Sequence, residues 1–120
     1  MSHLQTIYIA GPMTGLPECN YPAFHEAARR LRLLGYEVLN PAENPPPPCK
    51  SWRGYMRLAI SQLIQCDAIV FLHGWELSAG ANIERDLAHK LAMPCMTLDT
   101  IGPRSRRHEA QTEIAGLEVQ

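Results

Sequence analysis

The sequence has few cysteines, and none of them are paired in sequence. The four residues are widely spaced: Cys19, Cys49, Cys66 and Cys95. A zinc site or a disulfide framework requires closer, paired spacing, so we interpret them as small apolar residues in a reducing compartment. The five histidines are equally scattered: His3, His25, His73, His89 and His108. The sequence therefore predicts neither a metal site nor a cofactor.

Long apolar runs and an excess of one charge are also absent. No run approaches the length that crosses a membrane, and the amino terminus has no basic-then-apolar signal pattern. Lys plus Arg number 11 against 12 for Asp plus Glu, a formal charge of -1. Binding to polymeric nucleic acid depends on clustered cations, whereas binding a single nucleotide does not. We expect a cytoplasmic protein with no membrane partner and no polymeric nucleic-acid partner.

What is present is enough for a single domain over residues 1–120, with a polar tail from about residue 103. Four apolar runs predict strands, at residues 6–10, 36–39, 67–72 and 94–98. Three helical patterns lie between them, with Asn20, Ser51 and Ser78 as the expected capping residues. Strands that alternate with helices predict an α/β fold around a parallel sheet.

Two apolar stripes on the predicted helices indicate which faces are buried. In the second helix most of the stripe is expected to pack in the core, and it comprises Trp52, Tyr55, Met56, Ala59, Ile60, Leu63 and Ile64. Its two leading aromatic residues either pack there or stack on a base. In the third helix the expected buried stripe comprises Ile83, Leu87 and Leu91.

Three loops follow the first three strands and meet at the carboxyl edge of the predicted sheet, where open α/β sheets bind ligands. The first runs from Gly11 to Gly15, and is either a phosphate cradle or an ordinary turn. The second begins at Asn40 and leads to Pro45–Pro48, expected to be a stiff segment beside the site. The third supplies Ser78 and Glu84. A Gly-x-Ser-x-Gly elbow is absent, which argues against a Ser-His-Asp hydrolase.

Glu84 is the candidate active-site carboxylate. We place it in the first turn of the third helix, where the helix dipole favours the ionised form. An ionised, partly desolvated carboxylate suits nucleophilic attack or stabilisation of an oxocarbenium ion. The alternative is an ordinary glutamate at a helix start, which the same dipole favours.

Four motifs in order carry a resemblance to a known superfamily. They are Tyr8-Ile9-Ala10-Gly11-Pro12-Met13, Gly35-Tyr36-Glu37-Val38-Leu39-Asn40-Pro41, Cys66-Asp67-Ala68-Ile69-Val70 and Ser78-x-Gly80-x-x-x-Glu84. Over about residues 6–98 the chain resembles the nucleoside 2-deoxyribosyltransferase superfamily, and within it the branch called DUF4406. The resemblance implies a flavodoxin-like, Rossmann-like three-layer sandwich with a four- to five-stranded parallel sheet. It also implies a homodimer or larger homo-oligomer.

The resemblance further implies an enzyme that cleaves the N-glycosidic bond of a nucleoside or nucleotide. Glu84 would attack the anomeric carbon, and Tyr8 would orient that carboxylate. A serine at position 78, where the transferases carry aspartate, resembles the glycosidases that act on nucleoside 5′-monophosphates. The expected substrate contacts are Gly11, Pro12, Met13, Thr14, Gly15, Asn40, Ser78, Gly80 and Asn82.

One position departs from the superfamily pattern. The family usually places an aspartate eight residues before the Asp67 position, where this chain has Ala59. Three hypotheses remain open at this point. The first is a nucleotide N-glycosidase, with a covalent sugar ester on Glu84. The second is a base-exchanging deoxyribosyltransferase, and the third is a nucleotide-binding or sequestering protein with little turnover.

Overall fold

A four-stranded parallel sheet organises the chain. The computed structural model describes residues 5–45 and 51–104. The strands lie in the order β2-β1-β3-β4, and every neighbouring pair is parallel. They are β1 (Thr6–Ala10), β2 (Glu37–Leu39), β3 (Ala68–Phe71) and β4 (Cys95–Thr97). The predicted α/β class and its parallel sheet are confirmed.

Helices make the crossovers that parallel strands require. They are α1 (Tyr21–Leu33), α2 (Trp52–Leu63) and α3 (Ala79–Lys90). Short 3-10 turns at Pro17–Asn20, Pro41–Glu43 and Trp75–Leu77 connect them to the strands. None of the helices in the described residues is long and apolar enough to span a bilayer.

The two predicted serine caps are confirmed, whereas the predicted asparagine cap is wrong. The Ser51 hydroxyl accepts from the Gly54 N–H at 3.0 Å, and the Ser78 hydroxyl accepts from the Ala81 N–H at 3.1 Å. Asn20 lies in the left-handed region at φ 60°, and its amide donates instead to the Pro12 carbonyl at 2.9 Å. Its side chain therefore ties the start of α1 to the loop after β1.

The alternation of β1 divides the core into two layers. Ile7 and Ile9 point to the α1 side, while Tyr8 and Ala10 point to the side of α2 and α3. All four side chains are fully or almost fully buried. This places helices on both faces of the sheet, an arrangement compatible with a flavodoxin-like three-layer sandwich.

The buried face of α3 differs from the predicted stripe. Ile83 and Leu91 are exposed and Leu87 is half-buried, so the predicted stripe is wrong. The face that packs inward carries small residues and one acid: Ala81, Glu84 and Ala88. Small side chains let a helix approach its neighbours closely, which bulkier residues on that face would prevent.

The stripe on α2 is also only partly buried. Ala59 and Leu63 are buried, but Trp52, Tyr55 and Ile64 are exposed. The expectation that most of this stripe packs in the core is therefore wrong for its ends. The predicted stiff segment runs from Pro45 to Pro48, and its residues from Pro46 onward lie outside the described residues, as does the tail beyond Arg104.

Candidate active site

A cavity of about 550 Å³ opens at the carboxyl edge of the sheet. Strand β1 sends its crossover to one side, toward β2, and its other neighbour is β3. The crevice at such a switch in strand order is the usual ligand position in open α/β folds. Five parts of the chain line the cavity: β1 with its loop, the start of α1, the loop after β2, α2, and α3 with the turn before it. Their lining residues are residues 8–14, Cys19, Tyr21, Phe24, Pro41, Asn44, Trp52, Tyr55, Met56, Ala59, residues 77–81 and Glu84.

A buried tyrosine–glutamate pair forms the floor of this cavity. The Tyr8 hydroxyl donates to Glu84 Oε2 at 2.6 Å, the short distance typical of a hydroxyl that donates to a carboxylate. Tyr8 is completely buried, and Glu84 is 5% exposed. The pair joins the central strand to α3 across 76 positions of sequence. Each partner can reach the cavity because both belong to its lining.

The ionisation of Glu84 differs from the expectation. Glu84 is the sixth residue of α3 and lies in its second turn, so the first-turn placement is wrong. Burial raises the pKa of Glu84 to about 7, against the hydrogen bond from Tyr8, which lowers it. The alternative of an ordinary glutamate at a helix start does not fit this buried position. A carboxyl group with this pKa exchanges its proton near neutral pH.

Tyr8 keeps its proton under the same conditions. Burial first, and then the Glu84 carboxylate, raise the pKa of Tyr8 far above its ordinary value. Its hydroxyl therefore remains a donor, and Glu84 Oε2 is its acceptor. The pair holds the carboxylate in one orientation, which leaves the other oxygen, Oε1, as the atom available for chemistry.

One end of the cavity presents backbone N–H groups and hydroxyls. The loop residues Gly11–Thr14 lie opposite Ser78 and the first residues of α3. The N–H groups of Ala79 and Gly80 have no acceptor among the described residues, as is normal for the first turn of a helix. The N-terminus of a helix favours anions for this reason.

Two glycines allow the backbone to come close at this end. A β-carbon on Gly11 would lie 2.9 Å from the Leu72 β-carbon, so the loop after β1 packs directly on the end of β3. A β-carbon on Gly80 would lie 3.0 Å from Met56 Sδ, which brings the start of α3 against α2. Both glycines therefore shape the cavity through close packing.

Another part of the cavity lining is aromatic. Trp52 and Tyr55 of α2 are 49% and 39% exposed and form the rim, while Tyr21 of α1 is half-buried. Burial, and next the Tyr55 hydroxyl, raise the pKa of Tyr21. These rings offer flat faces on which a planar base can stack.

Eight of the eleven predicted site residues line the cavity. Three do not: Gly15, Asn40 and Asn82. The Asn40 carboxamide accepts from the Ala42 N–H, and the Asn82 carboxamide donates to the Glu76 and Ser78 carbonyls. Both asparagines hold turns beside the cavity, so their roles as substrate contacts stay predictions without support from this geometry.

Several residues that line the cavity are not predicted as site residues from the sequence. Cys19, Tyr21, Asn44 and Leu77 come from turns and helix starts that have no motif of their own. The one sequence signal for them is position, since each follows or precedes a loop at the carboxyl edge. Within residues 5–45 and 51–104, no group of three or more metal-binding side chains is found.

Comparison with known proteins identifies the family but not an activity. A family model described as a domain of unknown function, DUF4406, matches residues 5–97. Among the described residues, that span covers all four strands, all three helices and all of the residues that line the cavity. No curated protein matches the chain.

Proposed function

We propose that this chain, which belongs to the DUF4406 family, hydrolyses the bond between base and sugar in a nucleoside 5′-monophosphate. The observation that carries the proposal is the buried Tyr8–Glu84 pair at the floor of the cavity. A desolvated carboxylate with a fixed orientation and a pKa of about 7 is suited to nucleophilic attack at neutral pH. The resemblance to nucleoside 2-deoxyribosyltransferases gives the same role to Glu84.

The proposed reaction has two steps. Glu84 Oε1 attacks the anomeric carbon, the carbon–nitrogen bond breaks, and its electron pair leaves with the base, which takes up a proton from solvent. Water then attacks the anomeric carbon, the ester oxygen returns to Glu84 as a carboxylate, and a proton passes to solvent. Retention of the sugar configuration follows from two successive displacements.

The substrate's phosphate is assigned to the end of the cavity where α3 begins. The Ser78 hydroxyl accepts from the Ala81 N–H, which leaves its own hydrogen free to donate to a phosphate oxygen. The N–H groups of Ala79 and Gly80 point from the same helix start, which attracts an anion. The base then extends toward Trp52 and Tyr55 at the rim, where stacking on aromatic faces is favourable.

A panel of ribo- and deoxynucleoside 5′-monophosphates, followed by chromatography of the free base, tests the proposal. We expect release by the unaltered protein and a loss of about 1,000-fold or more in Glu84→Gln, because the amide cannot form the sugar ester. Glu43→Gln is a matched control, since that exposed glutamate is paired with Arg32 outside the cavity lining. Release that persists in Glu84→Gln would contradict the nucleophile assignment.

Position 59 in the cavity lining favours a second candidate function, nucleotide binding with little turnover. Ala59 faces the cavity where the resembling family carries a catalytic aspartate, so the cavity has one carboxylate among its described residues instead of two. Tight nucleotide binding with no release of base would favour a binding or sequestering protein. Exchange that requires an added free base would instead favour the transferase. The predicted homo-oligomer stays a prediction.

A further inference from the structure

The described residues that line the cavity include one acidic side chain and no basic one. Glu84 is its single carboxyl group among the described residues, and none of those lining residues is lysine, arginine or histidine. The remaining lining side chains are aromatic, aliphatic, thioether, thiol, hydroxyl or amide groups. A ligand with a positive charge near the carboxylate is favoured in such an environment, and a second negative charge there is not.

The same inventory limits the chemistry of the leaving group. A neutral base leaves readily only if it receives a proton as its bond to the sugar breaks, and glycosidases commonly use a second carboxylic acid for this. Here Glu84 acts as the nucleophile, and the Tyr8 proton is already donated to Glu84. Ala59 presents only a methyl group.

A base that already carries a fixed positive charge needs no such acid. When its bond to the anomeric carbon breaks, the electron pair neutralises the ring nitrogen and the base leaves as a neutral molecule. Pyridinium and N-alkylated purine glycosides are of this class. The carboxylate also attracts such a base before the reaction, because the two charges are opposite.

The aromatic rim adds a second, independent observation. Tyr21, Trp52 and Tyr55 contribute three aromatic rings to the lining of the cavity. Aromatic faces attract cations through the negative potential of the ring, with tryptophan the strongest. A nucleotide with a cationic base therefore has its phosphate at the positive helix end and its positive ring among aromatic faces.

On the basis of the proposed function, we propose that the preferred substrate is a nucleoside 5′-monophosphate whose base carries a fixed positive charge, of the N-ribosylpyridinium class. The carbon–nitrogen bond breaks as Glu84 Oε1 forms the ester, and the neutral pyridine leaves without a proton. Water resolves the ester, giving the sugar 5′-phosphate and one proton to solvent. No oxidant, reductant or other co-reactant is needed.

Turnover of nicotinamide riboside 5′-monophosphate, compared with the neutral adenine, guanine, cytosine and uracil monophosphates, tests the inference. Each rate is divided by the uncatalysed rate of the same compound, because cationic glycosides are intrinsically more labile. We expect an acceleration at least about 100-fold larger for the cationic substrate, the range that general acids contribute for neutral bases. Equal or larger acceleration for the neutral compounds overturns the inference and leaves the proposed glycosidase intact.

A binding measurement separates recognition from chemistry. The dihydropyridine form of the same nucleotide has nearly the same shape but a neutral ring, so we compare the two Kd values by calorimetry with Glu84→Gln. We expect the cationic form to bind about tenfold tighter, and Trp52→Leu to remove most of that preference. Leu33→Ala, an exposed site on α1, is the control that keeps it. Equal affinities for the two forms overturn the cation site.

The variant Ala59→Asp tests whether the absence of an acid at this position selects cationic over neutral bases. An acid introduced at this lining position should raise kcat for the release of neutral bases by about tenfold or more, and should raise kcat for the cationic substrate much less, because that leaving group needs no proton. An equal rise for both classes overturns the argument that the missing acid selects the base. If no nucleotide releases its base, the proposed function falls and this inference falls with it, even where the cationic form binds more tightly.

Discussion

The two faces of the central sheet are packed in opposite ways, although β1 supplies both. Toward α1, its isoleucines meet large apolar side chains: Phe24, Leu31 and Val38. Toward α2 and α3, it presents Tyr8 to small side chains and an acid: Ala59, Ala81, Ala88 and Glu84. On the second face the small residues Ala59 and Ala81 line the cavity together with Glu84, and Ile9 and Phe24 of the first face also reach its lining.

This difference separates stability from function within one small sheet. Burial of large apolar side chains is the main favourable term in folding, and the α1 face supplies much of it. The second face buries a carboxyl group at the floor of the cavity with Tyr8 as its hydrogen-bond donor, and burial of this group in its charged form opposes folding. The packing of the first face therefore stabilises a fold in which the second face can bury the Tyr8–Glu84 pair, although that burial is unfavourable.

Truncating a large residue on the α1 face should have the largest effect on stability. Leu31 is fully buried, so Leu31→Ala is expected to lower the free energy of unfolding by about 2–5 kcal/mol. Urea denaturation measures this, with Leu33→Ala, an exposed leucine on the same helix, as the control with a change below about 0.5 kcal/mol. A change in substrate preference for folded Leu31→Ala would contradict the separation between the two faces.

The fold was accessible from sequence because its signals are local. The strand Thr6–Ala10 was predicted with its observed bounds, since a β-branched run ends at Gly11-Pro12. The caps at Ser51 and Ser78 were likewise predicted, because a hydroxyl before a helix has a local reason to be there. Such features depend on neighbours in sequence and not on the tertiary packing.

The buried face of α3 was not accessible in the same way. Ile83, Leu87 and Leu91 share a helical period with one another, and so do Ala81, Glu84 and Ala88. The larger apolar side chains favour Ile83, Leu87 and Leu91 as the buried stripe, but α3 packs close to its neighbours and buries the smaller set instead. The raised pKa of Glu84 follows from that packing, so the dipole argument from sequence gave the wrong direction.

The charge of Glu84 should make the stability depend on pH. Its folded pKa of about 7 lies above its ordinary value, so the folded state binds the extra proton between about pH 4.5 and 7. The contribution of Glu84 to the free energy of unfolding is therefore greatest below this window and falls as the pH rises through it, by roughly 3 kcal/mol in total. Urea denaturation at a series of pH values measures the slope, which Glu84→Gln should remove.

Glu43→Gln provides the control of opposite sign. The hydrogen bond from Arg32 lowers the pKa of Glu43, so its contribution is present at neutral pH and is lost in acid. Because this ion pair is exposed, the effect should be small. A wild-type stability that does not change between pH 4.5 and 7 would contradict the burial of a titrating Glu84.

The smallest of these effects tests the floor of the cavity itself. The Tyr8 hydroxyl lowers the pKa of Glu84 against burial, so Tyr8→Phe should raise that pKa further. For a nucleophile that must be ionised, the acid limb of kcat/KM then moves to higher pH by about one unit, a loss of about fivefold at pH 7. Tyr36→Phe, whose hydroxyl donates to the Gly102 carbonyl away from the cavity, should leave the profile unchanged.

Recovery at high pH distinguishes this positioning role from a loss of structure. In Tyr8→Phe the carboxylate still forms once the pH exceeds its raised pKa, so most of the activity should return at about pH 9. In Glu84→Gln no pH restores it, because the nucleophile is gone. An acid limb that stays in place, with activity reduced equally at every pH, would mean that the hydrogen bond orients Glu84 without setting its ionisation.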